Sequence, residues 1–387
     1  MTRPFPPLQT ISTGLVVAVV GFFSSFPIVL QGLFAMGATA PQAASGLMCA
    51  ALAMGLTAIA LSLLYRQPIS VAWSTPGAAL LAVSALPAGG FAEAAGAFVC
   101  AGALTVLAGM WQPLARLASA IPTTLAQAML AGVLLPLCIA PFQAAAELPA
   151  QALPVIVTWF VAGRFNRLFA VPAAVIAAAI VVIVNAGEAS ITPDQVLTQP
   201  LWITPTFSLA STIGIGVPLF VVTMATQNIP GIAVMRSFRY TPKPGPLFAS
   251  VGAASILTAP FGAAATCLAA ITQAMCSNED SHPNPALRYW SAIMAGAFYC
   301  ILGVFAAAIT DFVAHADPLL MATLAGMALI GVLANATHAA LAMPDEREAA
   351  AITFVITASG ITGFGLGAAV WGLLVGGIVY LLSRKST

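Results

Sequence analysis

Pro68-Ile69-Ser70-Val71-Ala72-Trp73-Ser74-Thr75-Pro76-Gly77 lies between long apolar runs, yet it cannot belong to a continuous membrane helix. Pro68 lacks an amide donor and blocks a regular helix through it, and the alternating residues that follow read as extended chain. Ser74 and Thr75 with Pro76 then form a helix-start signal ahead of an apolar run to about Leu86. Extended backbone at membrane depth is tolerated only where protein or a water-filled cavity satisfies it. The stretch therefore predicts a short strand followed by a half-helix that begins near the membrane midplane, with its amino end turned toward a site.

The rest of the chain supports that setting. Only 6% of the 387 residues are charged and 60% are hydrophobic, with a mean hydropathy of +1.01; a soluble domain carries roughly 25% charged residues. At about 20 apolar residues per crossing, the runs predict an all-α polytopic protein of about fourteen segments. With the amino terminus in the cytoplasm, every basic residue falls on one side: Arg3, Arg66, Arg116, Arg164, Arg167, Arg236, Arg239, Lys243, Arg288, Arg347, Arg384 and Lys385. Glu147, Glu188, Asp194, Asp311 and Asp317 fall on the other, as the positive-inside rule requires. Both termini are then cytoplasmic. The first apolar run is too long, and too poor in a small-residue cleavage site, for a removed signal peptide.

Several function classes drop out. The six cysteines show no CxxC or His spacing, which argues against a disulfide framework or a metal site. A net charge of +1 leaves no footprint for nucleic acid. No nucleophile, metal cluster or acid/base pair suggests an enzyme, and nothing suggests a cofactor.

A second break is expected at Thr258-Ala259-Pro260-Phe261-Gly262, with a half-helix running from Ala263 to Met275. Ser24-Ser25-Phe26-Pro27 in the first run is echoed by Gln227-Asn228-Ile229-Pro230 in the eighth. Seven-segment units headed by these motifs would have opposite topology, since seven is odd; inverted repeats with paired broken helices point to a secondary transporter with a midplane site. Two half-helix amino ends meeting in low dielectric favour an anion. The expected binding residues are Ser24, Ser25, Trp73, Ser74, Thr75, Pro76, Gly77, Thr226, Gln227, Asn228, Pro260, Phe261, Gly262 and Ala263. Phe22, Phe23, Phe26, Trp73, Phe261 and Met224 are candidates to hold an apolar ring.

Ala72-Trp73-Ser74-Thr75-Pro76-Gly77-Ala78-Ala79-Leu80-Leu81 resembles the third-segment motif of the BenE-type benzoate transporters. Leu219 through Ala233, Pro260-Phe261-Gly262 with Ala269 to Thr272 and His282-Pro283, and Val355 to Gly360 resemble other segments of that family. The resemblance implies a fold like that of uracil permease and the sulfate-permease group, in two inverted sevens. Core parts would occupy residues 1–115 (segments 1–4) and 206–312 (segments 8–11), and gate parts 116–205 (segments 5–7) and 313–387 (segments 12–14), with a homodimer possible through the gate. It implies proton-coupled uptake of benzoate or a similar aromatic carboxylate across a bacterial inner membrane, the alternative being a passive channel or exchanger for small organic acids. Uracil permeases carry glutamates where this chain has Gln227 and the alanine run Ala263, Ala264, Ala265. An amide there can donate to an acid substrate that a carboxylate would repel.

That change removes the obvious proton carrier. Glu93, at the start of the fourth segment, is the remaining acid that could sit inside a span and exchange protons. His338, and His282 with Glu279 and Asp280, read as solvated or backbone-bonded residues, and the run from Asp345 to Glu348 reads as a capping joint. Asn335 and Thr337 read as interhelical hydrogen-bond glue.

Overall fold

Runs rich in alanine, glycine and leucine fold as helices in a bilayer because each backbone group then finds its partner within the segment. The computed structural model describes residues 5–111, 113, 122–186, 196–363 and 367–383; the expectations for Arg3, Arg116, Glu188, Asp194, Arg384 and Lys385 lie outside them. The first run forms α1 (Leu8–Phe23) and α2 (Phe26–Ala35), broken at Ser24 and Ser25, and α3 (Ala40–Tyr65) follows. Next come β1 (Val71–Trp73), α4 (Thr75–Ala82), α5 (Gly90–Met110), α6 (Thr123–Glu147), α7 (Pro149–Phe165) and α8 (Ala170–Ala186). The second half contains α9 (Leu209–Ser237), α10 (Pro244–Thr258), β2 (Thr266–Leu268), α11 (Ile271–Ser277), α12 (Tyr289–Val304) and α13 (Ala306–His315). It ends with α14 (Pro318–Ala340), α15 (Arg347–Ala358) and α16 (Ala368–Ser383). Among the described residues, 8 helices are long and apolar enough to cross a membrane, with α1 and α2 taken together. The protein is a mostly helical, multi-pass membrane protein.

The first break matches its sequence signature, whereas the second lies later than expected. α10 closes in a 3-10 turn, Ala259–Phe261, and Gly262 turns the chain with φ of +89°, a left-handed value that glycine adopts without penalty. The chain then runs into β2, and helix resumes only at Ile271. Pro260, Phe261, Gly262 and Ala263 thus end one element instead of starting the next. Strand pairing overrides the helical propensity of the alanine run: β1 and β2 are antiparallel, with Val71 opposite Leu268 and Trp73 opposite Thr266. The Ser74 amide extends the ladder by donating to the Ala265 carbonyl at 2.8 Å.

A two-stranded sheet has two open edges, and lipid offers no water to satisfy them. Buried side chains take that part on the β2 edge and along the chain that enters β1. On β2, Ser255 Oγ accepts from the Thr266 amide and Asn228 Oδ1 from the Leu268 amide, both at 2.8 Å. Leading into β1, Ser62 bonds both backbone groups of Ile69. Gln273 accepts the Ser70 amide at 2.9 Å and donates to the Pro68 carbonyl and to Ser277 Oγ.

α9 stays helical through the Gln227-Asn228-Ile229-Pro230 motif but widens into π turns at Thr212–Gly216 and Met224–Asn228. Each π turn ends two residues before a proline, Pro218 or Pro230. A helical proline removes one amide donor and its ring crowds the carbonyl of the preceding turn; a wider turn relieves both effects, and such turns recur at functional sites.

Helix packing falls into two sets. α3 packs on α12, α5 on α10, α1 on α12 and α2 on α4, whereas α6 packs on α14 and α15, α7 on α8, and α15 on α16. Close approach in the first set depends on glycines that face each other. A Cβ on Gly252 would lie 2.8 Å from the Gly102 carbonyl, one on Gly245 2.6 Å from the Gly109 carbonyl, and one on Gly296 2.6 Å from the Gly55 carbonyl. Small residues drive helix association in lipid, where dispersion contacts replace a hydrophobic force. Gly252→Ala is therefore expected to lower the thermal midpoint of the detergent-purified protein, consistent with about 1–3 kcal/mol of overpacking. Gly331→Ala, on an exposed face with nothing within 4 Å of the new Cβ, should leave the midpoint unchanged or raise it. Equal midpoints for the two variants would refute the glycine-contact account.

Candidate functional site

The broken elements meet at one cavity of about 530 Å³. Its first wall comes from the α1–α2 break (Ser24, Ser25), the β1–α4 junction (Trp73, Thr75, Pro76), the second π turn of α9 (Thr226, Gln227) and the entry into α11 (Ala270, Ile271, Thr272). Its second wall comes from the other packing set: Gln127 of α6, Arg167 and Val171 around the start of α8, and Leu329, Val332 and Asn335 of α14. The cavity thus lies on the seam between the two sets.

Seven of the residues expected from sequence line it: Ser24, Ser25, Trp73, Thr75, Pro76, Thr226 and Gln227. Ser74, Gly77 and Asn228 stand next to the wall and serve the scaffold. Ser74 Oγ accepts the Gly77 amide at 3.1 Å and a hydrogen bond from Thr223 at 2.8 Å, and Asn228 is fully buried with its carbonyl on β2. Pro260, Phe261, Gly262 and Ala263 are absent from the wall. Phe261 packs instead on Trp202, with ring centroids 5.3 Å apart, and its carbonyl accepts from Ser45. Sequence reasoning placed the second helix start there because β2 carries only three residues and Ala270, the residue that precedes α11, offers no side-chain cap.

The donors at the helix starts can be counted. Around α4, Ser74 donates its amide to Ala265, Pro76 has none, Gly77 is capped by Ser74 Oγ, and Ala78 donates to the Ser74 carbonyl. This leaves the Thr75 amide. At α11 the Ile271 and Thr272 amides have no acceptor among the described residues. Unpaired first-turn amides and the helix dipole both favour an anion at these ends. The side-chain amides of Gln227 and Gln127 and the Thr75 hydroxyl likewise make no hydrogen bond to another described residue, so their polar groups are available to a ligand.

Of the six apolar side chains expected to hold a ring, only Trp73 is on the wall. Its indole Nε1 donates to Ser25 Oγ at 2.8 Å, and Ser25 donates to the Gly21 carbonyl at 2.9 Å. Phe22 packs edge-on against Trp73 at 5.2 Å and stacks with Phe26 at 6.0 Å, with both phenyl rings buried behind it. These rings and bonds hold the indole in one orientation. Met224 is buried beneath the π turn, its sulfur accepting from the Asn228 amide. Aliphatic side chains, among them Leu130, Val171, Ile271 and Val332, complete the apolar lining.

Among the described residues, no Asp, Glu or His lines the cavity. Glu93 is not on its wall: it is fixed by the Gly89 amide at 2.6 Å and by the hydroxyls of Ser208 and Ser211, tying the start of α5 to the start of α9. His338 and Thr337 border a separate groove with Arg347. His282 lies in an exposed turn, where Nδ1 accepts the Asn284 amide at 3.0 Å. Asn335, expected as interhelical glue, faces the cavity and makes no side-chain hydrogen bond to a described residue. Sequence reasoning missed Gln127 and the Ala269 to Thr272 turn as wall residues, and it placed Arg167 only in a connector.

Comparison with known proteins agrees with this architecture. A family model described as Benzoate membrane transport protein matches residues 5–382. Inner membrane protein YdcO of Escherichia coli (strain K12) is 39% identical over 381 residues, covering 97% of this chain and 96% of that protein. Benzoate membrane transport protein of Acinetobacter baylyi is 31% identical over 331 residues, 85% of this chain and 84% of the relative. The transmembrane domain of BicA, a cyanobacterium bicarbonate transporter, shares the fold with a TM-score of 0.64 at 16% identity, covering 95% of this chain and 97% of that chain.

The neighbours Gln227 and Asn228 give a test of the geometry. Asn228→Ala leaves a buried backbone amide unsatisfied, a loss of about 1–3 kcal/mol, and should lower the thermal midpoint. Gln227→Ala removes an unengaged amide and should leave the midpoint within a degree or two of the parent, on the order of the ±0.5 kcal/mol expected away from structural partners. A stability loss at Gln227 equal to that at Asn228 would contradict the assignment of one to the cavity and the other to the sheet.

Proposed function

The chain belongs to the benzoate membrane transport protein family, a family of membrane transporters rather than enzymes, and we propose that it is a secondary active transporter importing benzoate or a similar aromatic carboxylate with protons. One observation carries this reading. Two half-helix starts with free amides, Thr75 on one side and Ile271 with Thr272 on the other, open into one cavity with no described carboxylate on its wall. The substrate carboxylate would bind these amides and the Gln227 side chain. The ring would lie along Trp73 and the aliphatic lining, with Ser24, Ser25, Pro76 and Thr226 forming the rest of that wall.

The packing sets support a division into a core, residues 1–115 and 206–312, and a gate, residues 116–205 and 313–387, and the proposal extends to two inverted seven-segment units and a homodimer through the gate. β1–α4 and β2–α11 are the antiparallel strand and half-helix pairs that such a repeat requires. With basic connectors placed in the cytoplasm of a bacterial inner membrane, the cavity end that carries Arg167 faces inward, and rocking of the gate along the seam would expose the same site to the other side.

Gln227→Ala should weaken benzoate binding more than about tenfold, since a hydrogen bond to a charged group contributes about 1.5–3 kcal/mol. Gln227→Glu should weaken it further by setting two negative charges together in low dielectric, and lowering the pH should restore part of the loss as the new carboxyl protonates. Calorimetry returning the parental affinity for either variant would remove Gln227 from the site.

Transport should follow the proton gradient. An aromatic carboxylate is ionised at neutral pH, as an Asp or Glu side chain is, so an interior-negative potential opposes entry of the bare anion. One proton per anion makes the cycle electroneutral; each further proton adds about 2.3 kcal/mol of driving force per 100 mV. Proteoliposomes with pH gradient and potential set independently should accumulate benzoate under an inward proton gradient and lose that accumulation with uncoupler. Uptake that only equilibrates, whatever the gradients, would identify a channel.

A further inference from the structure

Three of the arginines assigned to the cytoplasmic side have described surroundings that differ in kind. Arg288 is 5% exposed, and its guanidinium donates to the carbonyls of Ser277 and His282, both at 2.7 Å, so its charge neutralises the end of α11. Arg66 donates to the Tyr289 hydroxyl at 2.8 Å and lies 5.3 Å from the centre of that ring. Both cations are engaged by protein.

Arg167 is not. It begins the 3-10 turn Arg167–Phe169, whose backbone is held by Asn166 Oδ1 accepting the Leu168 amide at 2.9 Å. Its side chain is exposed, lines the cavity, and makes no ion pair or hydrogen bond with a described residue. It is the one charged side chain among the described residues of the wall, and Gln127 and Asn335 on the same side of the seam present unengaged amides.

A cleft with low-dielectric walls and charge of one sign focuses the field and raises the local concentration of the oppositely charged ligand. We propose that Arg167 is the anion-collecting charge of the cavity mouth: it draws the substrate carboxylate into the seam, past Gln127 and Asn335, toward the half-helix ends without holding it there. The choice of an aromatic carboxylate as probe rests on the function proposed above. A charge at a rim acts on association rate and its salt dependence, whereas a group bonded to the bound ligand acts on dissociation.

Two measurements on the purified full-length protein decide this. The first is stopped-flow binding of benzoate. Arg167→Gln should slow association about tenfold, leave dissociation unchanged and flatten the dependence on ionic strength, and Arg167→Lys should keep most of the rate. The second needs no substrate. In an Ala339→Cys background, which places a thiol on the cavity wall, Arg167→Gln should slow labelling by an anionic methanethiosulfonate about tenfold relative to a cationic one. Unchanged association together with an unchanged labelling ratio would overturn the proposal, as would a faster dissociation at constant association, which puts Arg167 on the bound ligand. A parent protein that binds no aromatic carboxylate refutes the proposed function, while the labelling ratio still decides the role of Arg167.

Discussion

The structure depends on keeping two three-residue strands hydrogen-bonded where lipid supplies no water. A ladder that short cannot stabilise itself, and each unsatisfied backbone group in an apolar setting costs several kcal/mol. Asn228 and Ser255 satisfy amides on the outer edge of β2, and Ser62 and Gln273 satisfy the chain that leads into β1. These side chains come from α3, α9, α10 and α11, so the strand pair fastens four helices at one depth. Because the strands hold, α4 and α11 can both begin inside the protein with their first amides unpaired.

The same requirement explains which residues could be read from sequence. The first half-helix was legible because Ser74, Thr75 and Pro76 are local signals that act within one turn. The second was not, because Ala263, Ala264 and Ala265 favour helix by propensity, and only pairing with β1, remote in sequence, draws them out. The glycine at 262, which the structure places at φ +89°, is the sequence clue to a turn at that point. The π turns of α9 were also hidden: Pro218 and Pro230 announce an irregular helix, but widening, kinking and breaking share that signature. The aromatic residues near the first break were read as one group, and packing then separated Trp73 on the wall from Phe22 and Phe26 behind it.

The absence of acids from the described wall alters the electrostatics of the whole seam. The described wall presents amide dipoles, hydroxyls and one guanidinium, and no carboxylate that would repel an anion. Glu93 could have supplied such repulsion, but three donors retain it at the junction of α5 and α9. Tight glycine contacts hold the helices of the first packing set close together, and the cavity is lined by side chains from both sets.

Adjacent residues divide these duties. Ser74 caps α4 and bonds Thr223 while Thr75 faces the cavity; Asn228 closes the sheet edge while Gln227 faces the cavity. On a helix, neighbouring side chains point about 100° apart, so a wall one residue thick can carry scaffold on its inner side and ligand contacts on its outer side. It follows that the free member of each pair can change chemistry without disturbing the fold, whereas the bonded member cannot. The side chain at position 227 can therefore change while the sheet bonded by its neighbour Asn228 stays the same.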